Sequence, residues 1–494
     1  MEETESVQTQ GVVKEDHCIP RTIHHLPPEL LMKIFALTLE AHILEFRWEG
    51  SRRRASSSLD QSTHPNWALS QVCRLWREIT LNMPSLWSFI TLAFPSSEDS
   101  PTSAKLQKYL LDLQLERVAN HPIDIIAATP DPFSSRIKRP LLQLCSRSPI
   151  WRRICIELWG DLFWLWGVSI QGRLQSLESL DLKFILPITR DVYCFQSAPQ
   201  LKNLAFSAGE LALQQLWHPN KLKLPYSQIT HFCWKDETET KSESMDNQGL
   251  SILFSHRALL LLQNLKYCRL ELRGETLYQY RLIQARDAFV MNQLRVSFQH
   301  LAELELGGVD VQNGADAILD FLEVSSSLER LNIFSSGLDR TALSNFITHP
   351  KNLLCLRIPN VEMLSNEFLI ILRSLTSLTD LTFGMRGGIT DDYLSLFLPD
   401  ELNGDGFAAV PHLQNLSLLP IPHFTSTYST DILLDVLESR RESSPTGNSF
   451  ESSPSSCSRL LSVNLDKQLD TPPALQRLSQ LQIEGLRVGL SWEK

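Results

Sequence analysis

The feature that most limits how this chain can fold is a short apolar unit, L-x-x-L-x-L, repeated along most of its length. It occurs as Leu177/Leu180/Leu182, Leu201/Leu204/Phe206, Leu301/Leu304/Leu306, Leu328/Leu331/Ile333, Leu353/Leu356/Ile358, Leu378/Leu381/Phe383 and Leu413/Leu416/Leu418. Weaker copies are Trp151/Ile154/Ile156, Ile229/Phe232/Trp234, Leu265/Cys268/Leu270 and Leu460/Val463/Leu465. Spacings from 177 to 201, 301 to 328, 328 to 353 and 353 to 378 are 24, 27, 25 and 25 residues. A period in this range marks a stacked repeat, each unit burying its apolar face against its neighbours.

The last two apolar positions of each unit sit two apart, as side chains on one face of a strand do. The first position anchors the start of that strand. Helix-like patterns lie between strands. "ADAILDFLEV" places Ile318, Phe321 and Leu322 on one helical face, and "TALSNFI" does so with Leu343, Phe346 and Ile347. One strand and one returning helix per repeat predicts a solenoid with a strand-lined concave face over residues 150–494. The alternative is a generic leucine-rich α/β domain. The repeat resembles leucine-rich repeats. That family usually carries Asn or Cys three residues after the last apolar position, whereas this chain has Ile185, Val309, Ser336, Val361 and Arg386 there. The repeat is thus degenerate.

Ahead of the repeats the chain reads "LPPELLMKIFALTL", then a polar stretch, then "WALSQVCRLWREITLNMPSLW". Leu30, Leu31, Ile34 and Phe35 recur at helical spacing, with Pro28 suited to a first turn. Ala68, Val72, Leu75, Trp76 and Ile79 form a second apolar stripe that Pro84 ends. Two or three short helices cannot bury all these large side chains among themselves, which leaves apolar surface for a partner or for the repeat body.

These residues resemble the F-box, particularly the F-box-like proteins abundant in mushroom-forming fungi. The match rests on Leu26, Pro27, Glu29, Leu30, Leu31, Ile34 and Phe35, then Val72, Cys73, Trp76 and Arg77, then Leu86 and Trp87. It departs from the motif by an insertion at about 41–64. The resemblance implies that a Skp-type adaptor, and through it a cullin scaffold, binds at Leu26, Pro27, Leu30, Leu31, Ile34, Val72, Cys73 and Trp76. It implies a substrate receptor of a ubiquitin ligase. The alternative is a repeat scaffold with no ubiquitin role.

The expected organisation is a disordered acidic tail (1–20), an F-box-like domain (21–95), a connecting region with strand-like segments (96–149) and the solenoid (150–494). Polar loops are expected at 235–249 and 442–458. The fold class is α/β, a small helical domain followed by an irregular solenoid. The formal net charge of -10 argues against a nucleic-acid-binding body, which needs a basic face. The first 16 residues lack the basic start and apolar run of a secretory signal, and no tract is long and apolar enough to span a bilayer. Nine cysteines without a C-x-x-C pair read as reduced thiols in an intracellular chain of the cytoplasm or nucleus.

Enzyme signals are absent. Gly404-Asp405-Gly406 lacks a phosphate loop's frame, His24-His25 has no ligand spacing, and Asp391-Asp392 is suited to open a helix. Arg52, Arg53 and Arg54 beside Ser56–Ser58 read as a solvated loop. We expect no catalysis, no cofactor and no metal. Target recognition is expected on the residues between the two strand leucines, which point away from the core. These are Asp181, Ala205, Glu305, Asn332, Arg357, Thr382 and Ser417.

Overall fold

Period-two alternation sets the architecture: leucines turn to one side of a sheet and polar residues to the other. The computed structural model describes residues 23, 26–49, 64–93, 101–128, 138–158, 166–184, 191–208, 222–236, 258–271, 296–308, 319, 322–324, 326–335, 340–347, 350–399, 409–421, 425–442, 458–466, 469 and 471–490. The expected tail at 1–20, most of the loops at 235–249 and 442–458, His24-His25, Arg52–Arg54 and Gly404–Gly406 lie outside the described residues.

A 14-stranded sheet runs in strict chain order, every neighbouring pair parallel. Its strands are β1 (Phe89–Ala93), β2 (Ile123–Ala128), β3 (Trp151–Leu158), β4 (Ser179–Phe184), β5 (Asn203–Ala208), β6 (His231–Asp236) and β7 (Tyr267–Glu271). They continue, after the short β8 (Val296–Phe298), with β9 (Glu303–Gly308); then, after the short β10 (Leu322–Val324), come β11 (Arg330–Ser335), β12 (Cys355–Val361), β13 (Asp380–Met385), β14 (Asn415–Leu418), β15 (Ser462–Leu465) and β16 (Arg487–Leu490). β8 and β10 pair with each other in a separate two-stranded sheet.

Each apolar unit falls where the spacing predicts. Leu180, Leu204, Phe232, Cys268, Leu304, Leu331, Leu356, Leu381, Leu416 and Val463 are in register, strand to strand. All are buried, as are the anchors Leu177, Leu201, Ile229, Leu265, Leu301, Leu328, Leu353, Leu378, Leu413 and Leu460. The residue after each anchor ties the stack together through backbone: from Glu178 through Lys202, Thr230, Lys266, Ala302, Glu329, Leu354, Thr379, Gln414 and Leu461 to Arg487, its N–H donates to the equivalent carbonyl of the preceding unit at 2.7–3.0 Å. The register shifts between Ile123 and Asp124 of β2 and between Ile358 and Val361 of β12.

Helices cover the leucine side. They are α4 (Pro101–Val118) and α5 (Lys138–Ser146) near the start, then α6 (Arg340–Ile347), α7 (Ser365–Ser374), α8 (Asp391–Ser395), α9 (Thr430–Glu442) and α10 (Pro472–Ile483). Leu343, Phe346 and Ile347 of α6 are buried as their spacing requires. Phe368 of α7 meets Phe383 of β13 at 5.2 Å between ring centres. Buried Arg440 of α9 joins two loops, donating to the carbonyls of Phe397, Ala409 and Val410 at 2.8–3.0 Å.

The structure corrects several expectations. Leu322 lies on β10, paired with Val296, and does not continue a helix; a short apolar run has no periodicity to separate the two states. The first helix, α1 (Pro28–Glu49), extends past residue 40 into the expected insertion at about 41–64. The second helix is two: α2 (Pro65–Val72) and α3 (Arg74–Leu81). Cys73 between them is extended (φ -157°, ψ 174°), and its sulfur accepts the Trp76 N–H at 3.5 Å, capping α3. The first two strands of the sheet, Phe89–Ala93 and Ile123–Ala128, fall within 21–95 and 96–149 respectively, and the second pairs with β3.

The alternation is testable at one strand. Leu416→Ala should cost about 2–5 kcal/mol, because Leu416 is fully enclosed. Ser417→Ala, one residue on and facing the other way, should stay within about 0.5 kcal/mol. Urea denaturation of both variants measures the contrast.

Candidate functional site

Two surfaces carry the chemistry this fold presents. The first is helical. On α1, Leu31, Phe35 and Leu39 recur every four residues and turn inward, all buried. Phe35 packs edge-on against Trp76 of α3 at 4.8 Å. The neighbouring stripe turns outward: Leu30 is 45% exposed, Ile34 38% and Leu37 63%. Val72 at 53% and Leu75 at 36% do the same on α2 and α3. These exposed apolar side chains lie together on a small helical unit, a kind of surface that binding partners often cover.

The expected adaptor contacts therefore separate. Pro27, Leu30, Ile34 and Val72 are exposed. Leu26, Cys73 and Trp76 are half-buried; Leu26 and Trp76 pack on the core and Cys73 caps a helix. Leu31 is fully buried within the core.

The helices are locked to the sheet by Trp87. Its indole N–H donates to the Thr80 carbonyl at 2.8 Å. Trp67 meets it edge-on at 4.9 Å, and the Arg117 guanidinium lies 4.1 Å above the ring. Gln114 of α4 donates to the carbonyls of Trp87 and Phe89 at 3.1 and 2.7 Å. His64 stacks on Phe89 at 5.6 Å and bonds Thr91, so the helical domain covers the polar side of β1.

The second surface is the polar side of the sheet. Asp181, Ala205, Glu305, Asn332, Arg357, Thr382 and Ser417 lie in one transverse row, as the alternation requires. The row also holds Cys155, Cys233, Arg269, Asn464 and Gly489. The first four of these are the intervening residues of the weaker repeat copies, so the same spacing could have found them.

Charges on this side are largely matched. Glu305 accepts from the Tyr267 hydroxyl at 3.1 Å and the Asn332 amide at 3.2 Å, with Arg269 at 3.5 Å. Lys183 pairs with Glu157 at 3.4 Å and Arg330 with Glu303 at 3.6 Å. Arg357 lies over the ring of Phe334 at 5.2 Å. Asp124 bridges Arg152 and Arg153. Burial would raise its carboxyl, but hydrogen bonds and charge from both arginines outweigh that and hold it below the usual range.

Burial pushes the Cys233 thiol up to about 12, and burial followed by the Asp181 charge raises Cys155 as well, so both are neutral and poor nucleophiles near pH 7. Asp391 and Asp392 open α8, as their position implied. Among the described residues no group of three His, Cys, Asp or Glu side chains could hold a metal ion. Among them, too, no helix is long and apolar enough to cross a membrane.

Comparison with known families bears on the helical surface alone. A family model described as F-box-like matches residues 23–93. These residues form an F-box-like domain. Domains of this kind generally bind Skp-type adaptors and are typical of non-catalytic subunits. No curated protein matches the chain.

The Asp124 bridge gives a pH test with a defined sign. A depressed carboxyl stabilises the fold above its unfolded pKa, about 3.9, and loses that contribution as pH falls through the folded value. Asp124→Asn should cost about 2–3 kcal/mol at neutral pH. The gap to the wild type should narrow below pH ~4. Urea midpoints across that range measure it.

Proposed function

We propose that this protein is a substrate-receptor subunit of a cullin-based ubiquitin ligase of the SCF type. The F-box-like domain would hold a Skp-type adaptor, and the polar side of the sheet would hold the target protein. On this reading the sheet is the concave face of an irregular leucine-rich-repeat solenoid. The single observation that carries the proposal is the F-box-like match at residues 23–93 on helices that turn an apolar stripe outward.

The chain's role in such a complex is positional. It raises the local concentration of target lysines near a ubiquitin-charged partner, while other subunits supply the bond-making groups. This requires a fixed path between the docking helices and the target face. Trp87 and Gln114 provide a direct one, because β1 starts two residues after Trp87. The adaptor contacts assigned on this reading are Pro27, Leu30, Ile34 and Val72, with Leu26, Cys73 and Trp76 shaping the face from behind. Asp181, Glu305, Asn332, Arg357, Thr382 and Ser417 would face the target. The complex would act in the cytoplasm or the nucleus.

The test is copurification of adaptor and cullin with the tagged full chain. Truncating an interface hot spot typically costs about 2–4 kcal/mol, so a charge at Leu30 or Ile34 should reduce adaptor recovery by about tenfold or more. Leu30→Asp and Ile34→Asp should keep the circular dichroism of the wild type, since both positions are exposed. Either variant recovering adaptor at wild-type yield in a folded state contradicts the assignment. An intact chain that recovers neither adaptor nor cullin contradicts the ubiquitin role altogether.

A further inference from the structure

On the polar side of the sheet, large apolar side chains are rare. Phe334 of β11 is an exception, 40% exposed in the middle of that side. Its register partner on β9 is Gly307, which carries no side chain of its own and has the Glu271 side chain leaning against it from β7. Arg357, one strand over on β12, lays its guanidinium 5.2 Å from the ring centre.

Arg357 also differs electrostatically from its neighbours. Arg153, Lys183, Arg269 and Arg330 on the same side each have a carboxylate within ion-pair distance. Among the described residues, Arg357 has the Phe334 ring as its partner and no carboxylate. Its cross-strand neighbours are Asn332 and Thr382, both neutral. Glu305, beyond Asn332, is already held by Tyr267, Asn332 and Arg269.

We propose that Phe334 and Arg357 form a docking platform for a peptide segment that carries a carboxylate side chain beside an apolar or aromatic one. The inference rests on the reading that this side of the sheet receives the target. A guanidinium over an aromatic ring, with no carboxylate paired to it, keeps donors for a carboxylate, whose geometry it matches in bidentate fashion. The open part of the ring offers apolar contact to the adjoining residue. Aromatic and arginine side chains together are the usual composition of a binding hot spot. One cation without a carboxylate partner, with Arg330 already paired and Glu305 and Asp380 on the flanking strands, suits a monoanion; a phosphate group, near two negative charges at neutral pH, favours a cluster of arginines.

The experiment selects peptides from a displayed random library on the full-length chain. Selected sequences are then measured by fluorescence anisotropy against wild type, Phe334→Ser, Arg357→Gln and Glu305→Arg. Both platform residues are exposed, so F334S and R357Q should keep the wild-type circular dichroism, and E305R is compared only once its circular dichroism matches as well. Selected peptides should share an acidic residue next to an apolar one. Their affinity should fall about tenfold or more for F334S and for R357Q, and also when the peptide's acidic residue is replaced by its amide. Peptides indifferent to F334S and R357Q but weakened by E305R overturn this platform while leaving the wider assignment of the face intact. Peptides indifferent to all three variants overturn both. A library that enriches no sequence on the wild type over the F334S/R357Q double variant also overturns the platform.

Discussion

Trp87 is the residue on which the arrangement of the molecule depends. It closes the F-box-like segment and is also the anchor of the first strand unit, since Trp87, Ile90 and Leu92 repeat the spacing of Leu177, Leu180 and Leu182. A fully buried indole with its N–H bonded, one ring on its edge and a guanidinium on its face cannot rotate without breaking all three contacts. The helical domain and the sheet therefore share a side chain where many two-part chains have a linker. For a protein whose proposed role is to place two other molecules, that shared residue is a physical basis for fixed geometry.

Beyond Trp87, one rule builds the sheet. From β4 onward the parallel strands start in the same register because the residue after each anchor donates to the same carbonyl of the unit before it. Leucine, isoleucine and phenylalanine then stack behind the sheet, and whatever the sequence places between them stacks in front. The front is thus free to vary without cost to the core. It has become a lattice of matched charges, in which Asp124, Glu157, Glu303 and Glu305 each hold a cation of a neighbouring strand. Residues satisfied within the lattice bind a partner only by exchanging one ion pair for another, so the least satisfied position, at Arg357, stands out.

Much of this was legible in the sequence because period two survives degeneracy. The seven strong apolar units and all four weaker ones fall on in-register strands, and the proposed face residues form a single row. What the spacing missed has local causes. In β2 a register shift between Ile123 and Asp124 moves the anchor, so "IDIIAA" does not show the unit. Around Cys73 the apolar stripe continues through a break in the helix, because a thiol caps the second half. Leu31 and Leu30 are adjacent and chemically identical, so only packing separates the core residue from the exposed one. The pairing of Phe334 with Arg357 depends on which strands adjoin, and β8 and β10 lie outside the main sheet in a way no spacing announces.

The most direct measurement of the central claim is hydrogen exchange on the full-length chain, with and without a purified Skp-type adaptor. The account predicts slowed exchange in residues 28–40 and 65–81, where the outward stripe sits, and unchanged exchange across β9 to β13. No slowing in the helices, or slowing confined to those strands, would contradict it.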